Sequence, residues 1–172
     1  SSLLVDGLQK TPSTISPTGS RRIVAPLSGN YDVGAGKFYT TLGAIFSDIS
    51  SVGLQGPVNI SITSSISEPT QVALYEPDRG SGFPVKVKPA PGVNPVISCN
   101  HGGQSLYING FKNLTIDGSN TVNGTTRDLT FSNLNTGAVA HGIFAADASN
   151  LNIRNTIINN GSSTTGAAVV FS

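Results

Sequence analysis

Leu106-Tyr107-Ile108-Asn109-Gly110-Phe111-Lys112-Asn113-Leu114-Thr115-Ile116-Asp117-Gly118 has a counterpart 37 residues further on, Ile143-Phe144-Ala145-Ala146-Asp147-Ala148-Ser149-Asn150-Leu151-Asn152-Ile153-Arg154-Asn155. Asn113-Leu114-Thr115-Ile116 falls on Asn150-Leu151-Asn152-Ile153 without a gap. A third piece follows in each copy, Asp128-Leu129-Thr130-Phe131-Ser132-Asn133 and Asn155-Thr156-Ile157-Ile158-Asn159-Asn160, matched at an offset of 27 (131 to 158). The first copy therefore carries ten extra residues, supplied by the polar run Ser119 to Thr126 and its neighbours, which reads as a loop at one corner. Short strand-like pieces separated by Asn and Gly and repeated at this period predict a stacked repeat.

Within each copy Leu114 and Ile116 alternate with Thr115 and Asp117, and Leu151 and Ile153 with Asn152 and Arg154. A period of two places aliphatics on one face and polar groups on the other, the pattern of a strand. One such layer cannot bury its apolar face alone, whereas layers stacked on one another share a continuous thin core. Asn residues at matching positions suit side-chain ladders running from layer to layer. The fold expected is all-β, a parallel β-helix.

Length and composition agree with a single domain of turn-rich β type. The chain has 172 residues with 20 Gly and 10 Pro, and neither Met nor Trp. Ten Lys and Arg against nine Asp and Glu leave no charge field that would recruit nucleic acid or an anionic membrane. No apolar run approaches the about 18 residues of a membrane span. With one cysteine, Cys99, no internal disulfide can form, and its apolar setting Val96-Ile97-Ser98-Cys99 predicts a buried, unreactive thiol.

Residues 1–24, rich in Ser, Thr and Pro and carrying Arg21-Arg22, read as an extended leader or linker before the β-helix of 25–172. Tyr31 to Lys37 reads as a turn region. Leu42, Ile45, Ile49 and Val52, widened by Phe46, form an apolar stripe at helical spacing, so a helix is expected over about 41–52. Thr40 or Thr41 suits its N-cap and Gly53 its end. Such a helix would cover the otherwise bare bottom of the stack. Gly56-Pro57 is expected to break the chain before the strand Val58 to Ile62. Gln71 to Tyr75, Pro84 to Lys88 and Pro95 to Cys99 are the next strands, with a polar loop at Glu76 to Gly82 and a turn at Pro89-Ala90-Pro91-Gly92. Gly166 to Phe171 begins another layer where the sequence stops, so the chain is expected to be the N-terminal part of something longer. Its open end would be covered by its own continuation, a neighbouring subunit or an export carrier.

The order of these pieces resembles the start of the β-helix regions of large secreted bacterial surface proteins. The similar pieces are Leu27-Ser28-Gly29-Asn30-Tyr31-Asp32-Val33-Gly34, then Phe38-Tyr39-Thr40-Thr41-Leu42 before the helix, then Gly53-Leu54-Gln55-Gly56-Pro57-Val58, followed by Leu114-Thr115-Ile116-Asp117-Gly118-Ser119 and Asn150 to Asn155. Proteins of this type are exported by the type IX route with a C-terminal sorting domain. The resemblance covers about residues 25 to 172 and implies a right-handed parallel β-helix on a secreted or cell-surface, multidomain protein; it implies little about activity.

Glycosidase chemistry would need two carboxylates at a set separation. Asp117, Asp128 and Asp147 are the candidates. Asp117 and Arg154 are offset by 37, which predicts an ion pair between layers, and Asp147 matches Gly110, leaving it alone on its ladder. His141-Gly142 resembles one element of the polygalacturonase pattern, but the Asn-Thr-Asp and Asp-Asp elements that accompany it are absent. His101 and His141 lack acidic or cysteine neighbours at metal-ligand spacing, so no metal and no cofactor is expected. The sequons at Asn59, Asn113, Asn123 and Asn160 are of the kind that Asn- and Thr-rich ladders generate by chance. The function expected is a non-catalytic structural or adhesive module, with a surface glycan among its partners. The alternative is the first layers of a polysaccharide lyase or glycoside hydrolase whose active site lies beyond residue 172.

Overall fold

A computed structural model describes residues 4–5, 8–9, 25–77, 82–161 and 166–172 of the chain. Leu4–Val5 (β1) and Leu8–Gln9 (β2) pair antiparallel. The remainder of the expected leader at 1–24, and residues 78–81 of the expected 76–82 loop, lie outside the described residues. Then come β3 (Leu27–Val33) and the helix α1 (Leu42–Val52), followed by four trios of strands. These are β4 (Leu54–Ile62), β5 (Ile66–Ser67) and β6 (Val72–Tyr75); β7 (Val85–Pro89), β8 (Val96–Cys99) and β9 (Gln104–Asn109); β10 (Leu114–Asp117), β11 (Leu129–Asn133) and β12 (His141–Ala146); and β13 (Asn152–Arg154), β14 (Thr156–Asn160) and β15 (Val169–Phe171).

Within a trio the three strands belong to three different sheets, and each strand pairs with its counterpart in the next trio. The first sheet runs β3-β4-β7-β10-β13, the second β5-β8-β11-β14 and the third β6-β9-β12-β15. Every pairing in these three sheets is parallel. Register holds residue for residue at the repeat: Ile116 faces Ile153, Phe131 faces Ile158 and Leu106 faces Ile143. Inward-pointing side chains therefore stack into apolar columns, among them Ile60, Val87 and Ile116 in the first sheet and Val72, Leu106 and Ile143 in the third. All six are buried.

Corners repeat as faithfully as strands. Gly110 and its counterpart Asp147 both have positive φ, at 69° and 51°, and Asn113 and its counterpart Asn150 do too, at 61° and 51°. Gly, Asn and Asp are the residues that tolerate this left-handed backbone. Asn150 Nδ2 donates to Asn113 Oδ1 at 2.9 Å, so the matched corners are also linked to one another. Similar amide contacts join Asn59 to Asn30 at 3.0 Å and Asn135 to Asn100 at 2.8 Å.

The helix occupies the chain between β3 and β4, where the second and third strands of a trio would otherwise lie. Leu42, Ile45, Phe46 and Ile49 are buried and Val52 is half-buried. Thr41 caps its N-terminus, its Oγ1 accepting from the Ala44 N–H at 3.2 Å, and the Gly53 N–H closes the other end on the Ile49 carbonyl. Two further contacts tie α1 to strands that, among the described residues, have no neighbour below them. The Glu68 carboxylate, just after β5, accepts from the Leu42 N–H at 2.7 Å, and Ser50 Oγ accepts from the Tyr75 N–H of β6 at 3.0 Å. Donors left open at a helix start and at a sheet edge are thus satisfied.

Several expectations need correction. Leu27–Val33 is a strand, and the turn begins only at Gly34, because a parallel partner in β4 organises this extended stretch. Gly56-Pro57 does not break the chain but lies inside β4. There the register between β3 and β4 shifts between Leu27 and Gly29, an irregularity that accommodates the proline in a strand paired on both sides. The two-residue β5 is too short for its periodicity to be seen in sequence. Asp117, expected on the polar face, is buried. The last trio is only half-buried: Leu151, Ile153, Ile158 and Val169 pack on the core from one side.

That asymmetry makes matched positions unequal. Leu114→Ala removes a side chain that is 0% exposed and is expected to cost about 3–5 kcal/mol. Leu151→Ala, at the same repeat position but half-buried, is expected to cost less than about 2 kcal/mol. Equal losses in urea unfolding of the two variants would contradict the stacking order.

Candidate functional site

Polar chemistry concentrates where the ten extra residues leave the first sheet. β10 ends on Asp117, and Gly118 follows because a Cβ there would meet the Asn155 carbonyl oxygen at 1.8 Å. The Asp117 carboxylate accepts from Arg154 Nη2 at 3.0 Å and from Asn155 Nδ2 at 3.0 Å, and Lys88 Nζ lies 3.5 Å away. Burial alone would raise this carboxyl. Hydrogen bonds from Asn155, the Ser119 N–H and Arg154, with the Lys88 charge, outweigh burial and bring its pKa down to about 2. The Asp117–Arg154 contact is the inter-layer pair that the offset of 37 requires.

Asp128 closes the same loop from its far side. Its Oδ2 accepts from the Asn120 N–H at 2.9 Å and from the Thr126 hydroxyl, and its own N–H donates to the Gly118 carbonyl at 2.9 Å. Lys88 Nζ donates to the Thr121 carbonyl at 3.0 Å and Asn155 Nδ2 to that of Gly124 at 3.2 Å, which pins the loop over the sheet. Asp117 and Asp128 are thus both engaged in building a wall. Beneath it, the outer surface of β3, β4 and β7 and the 120–122 segment enclose a groove of about 300 Å³.

The third sheet presents a different outer surface. Tyr75, Tyr107 and Phe144, from β6, β9 and β12, form a continuous aromatic row with ring centroids 5.8 Å and 5.9 Å apart. Tyr107 and Phe144 face each other across the ladder, and each is partly exposed. At the Tyr75 end lies a groove of about 410 Å³ lined with small hydroxyls, Ser47, Ser50, Ser51 and Thr70, together with Gln71.

The remaining candidates have structural tasks. His101 Nδ1 accepts from the Gly103 N–H at 3.2 Å and His141 Nδ1 from the Ala167 N–H at 2.9 Å, so both rings hold turns. Asp147 occupies a left-handed corner, which explains why glycine stands at its counterpart. Among the described residues no three His, Cys, Asp or Glu come together as a metal site, and no helix is long and apolar enough to cross a membrane. Cys99 is buried, and burial first, then the nearby Glu68 charge, push its thiol up to about 11. Glu68 itself is raised by burial, opposed by the Leu42 and Gly43 N–H groups.

Reading the sequence located Asp117, Asp128 and the loop between them but missed three things. The aromatic row had a signal, Tyr107 and Phe144 at an offset of 37. Glu68 had none, since its partner lies 26 residues away in the helix. Lys86 and Lys88 had no signal beyond their place in the strand expected at Pro84 to Lys88. Compared with protein families, with curated proteins and with solved structures, the chain matches none.

A carboxyl held below its ordinary value stabilises the fold above the unfolded pKa of 3.8, and that stability is lost as pH falls through about 2. Asp117 should contribute about 2 kcal/mol at neutral pH. Asp117→Asn is expected to lose that amount and to flatten the stability–pH curve between about pH 4 and 2. A parallel acid titration of the two proteins, followed by circular dichroism, would expose any error in this assignment. Cys99 should resist iodoacetamide at pH 8 in the folded protein and react on unfolding; rapid native labelling would mean that the thiol is accessible.

Proposed function

We propose that the chain is a right-handed parallel β-helix serving as a non-catalytic, adhesive module of a secreted or cell-surface protein. The sequence of three sheets visited in turn supports the β-helix, and right-handedness follows from the strong preference of parallel crossovers for that hand. Secretion by a surface-protein route rests on the resemblance of residues 25–172 to such regions.

The observation that carries adhesion is the aromatic row of Tyr75, Tyr107 and Phe144. Partly exposed rings in register along a stack form a rigid strip at little entropic cost, because each ring's backbone is held in a sheet. A strip of this kind suits an extended polymer with alternating apolar and hydroxylated faces, which describes a polysaccharide. The hydroxyl-lined groove at the Tyr75 end supplies hydrogen-bonding groups for the same chain. A hydrolytic reading draws less support. Asp117 is neutralised by Arg154 and Lys88 and hydrogen-bonded by Asn155, and Asp128 is committed to its loop.

Tyr107→Ala tests the reading, because Tyr107 is the middle ring and its side chain lies on the outer face. Pull-down on insoluble polysaccharides is expected to fall at least tenfold while unfolding in urea stays near wild type. Undiminished retention by this variant would remove the aromatic row as the contact surface, and release of reducing sugar from any polymer would replace adhesion by catalysis.

A further inference from the structure

The groove on the first sheet lies on a different face from the aromatic row and has its own chemistry. Its floor is a small grid of outward side chains set by strand register. Asn30, Asn59 and Lys86 stand side by side across β3, β4 and β7, and Asp32, Ser61 and Lys88 form the parallel row two residues on. Strand spacing and rise make this floor roughly 10 Å by 7 Å, the footprint of one or two sugar rings. Pro91 and Val122 flank it, Val122 being 88% exposed at the tip of the loop that Lys88 pins in place.

Charge in the groove is unevenly used. Asp32 is paired with Lys37 at 2.9 Å, and Lys88 is engaged by Asp117 and the Thr121 carbonyl. Among the described residues Lys86 makes no ion pair. Across the groove and its pinned wall, Lys37, Lys86, Lys88 and Arg154 stand against Asp32, Asp117 and Asp128, four cations against three carboxylates. The Asn59 amide is already joined to Asn30 at 3.0 Å, which orients both groups, and Ser61 adds a hydroxyl. An ammonium without a counter-charge, flanked by fixed amides and a hydroxyl and bordered by apolar side chains, is complementary to a sugar carrying a carboxylate.

We propose that this groove is a binding site for an acidic saccharide, with the sugar carboxylate on Lys86, hydroxyls on Asn30, Asn59 and Ser61, and a ring face against Pro91 and Val122. The inference rests on the adhesive reading only in taking a glycan as partner. It concerns a separate sheet, so the two readings fail separately.

Titration calorimetry with three carboxylated probes, a hyaluronan tetrasaccharide, trigalacturonate and a guluronate trimer, against their carboxyl-reduced counterparts supplies the test. At least one acidic probe is expected to bind, and its reduced counterpart at least tenfold more weakly. Binding should weaken between about 0.01 M and about 1 M salt, as the Debye length shrinks from about 30 Å to about 3 Å. Lys86→Gln should lower affinity for the acidic probe about tenfold, and Val122→Lys, at an exposed tip that packing does not restrict, should raise it. Tyr107→Ala should leave this binding unchanged, and its loss there would place the acidic probe on the aromatic row instead. Failure of all three probes to bind, equal binding of acidic and reduced forms, or indifference to both groove variants would each overturn the proposal.

Discussion

The constraint on which everything else depends is the parallel pairing of each strand with its counterpart in the next trio. Because side chains alternate at a period of two, a slip of one residue would turn every inward column outward. The columns of Ile60, Val87 and Ile116, or of Val72, Leu106 and Ile143, make that slip costly over the whole height of the stack. Corners are constrained by the same requirement. If strands must return to the same register, the backbone between them must turn identically, and positive φ recurs at Gly110 and Asp147 and at Asn113 and Asn150. A lone aspartate that looks like a catalytic candidate is thereby explained as a corner residue.

Insertion is tolerated only where it can leave the stack without disturbing the columns. The residues between Asp117 and Asp128 do so, and the buried carboxylate of Asp117 is their anchor. A charge at that depth would be unfavourable alone, but two cations and an amide reach it from neighbouring strands and loop. Lys88 serves two ends at once, holding Asp117 and the Thr121 carbonyl, so the wall of the groove and the interior of the stack share one ion-pair network. Ladder chemistry and loop chemistry are coupled there, which is why the groove is preformed.

The beginning of the stack shows how a sheet edge is managed. Among the described residues β5 and β6 have no strand beneath them, and α1 fills that level with its buried face while Glu68 and Ser50 satisfy open backbone donors. Glu68 works in the opposite electrostatic sense to Asp117. Burial raises its carboxyl, so its ionised form is less favoured than in the unfolded chain and its contribution to stability grows as pH falls through the folded-state value. Side by side, the two residues show that the balance of burial and partners decides the sign: at Glu68 burial outweighs two backbone N–H groups, whereas at Asp117 the Asn155 amide, the Ser119 N–H, Arg154 and Lys88 together outweigh burial.

How much of this was legible before folding depends on sequence distance. The offset of 37 that aligns Leu106 to Asn113 with Ile143 to Asn150, the alternation of Leu114 and Ile116, and the stripe of Leu42, Ile45 and Ile49 are local or periodic signals. They determined the all-β class with parallel layers, the helix and its caps, and the Asp117–Arg154 pair. Contacts without a period were invisible. β3 is a strand because β4 pairs with it, Gly56-Pro57 stays in a strand because the register shift accommodates it, and Asp117 is buried because Lys88 and Asn155 arrive from other strands and loops. Only the tertiary structure decided that Lys86 stands beside Asn59 and Asn30 under a wall made by residues 119–126, since the polar faces of strands carry no pattern of their own. Burial imposes a code on inward positions that one chain can reveal, whereas outward positions acquire meaning from whichever neighbours the register brings beside them.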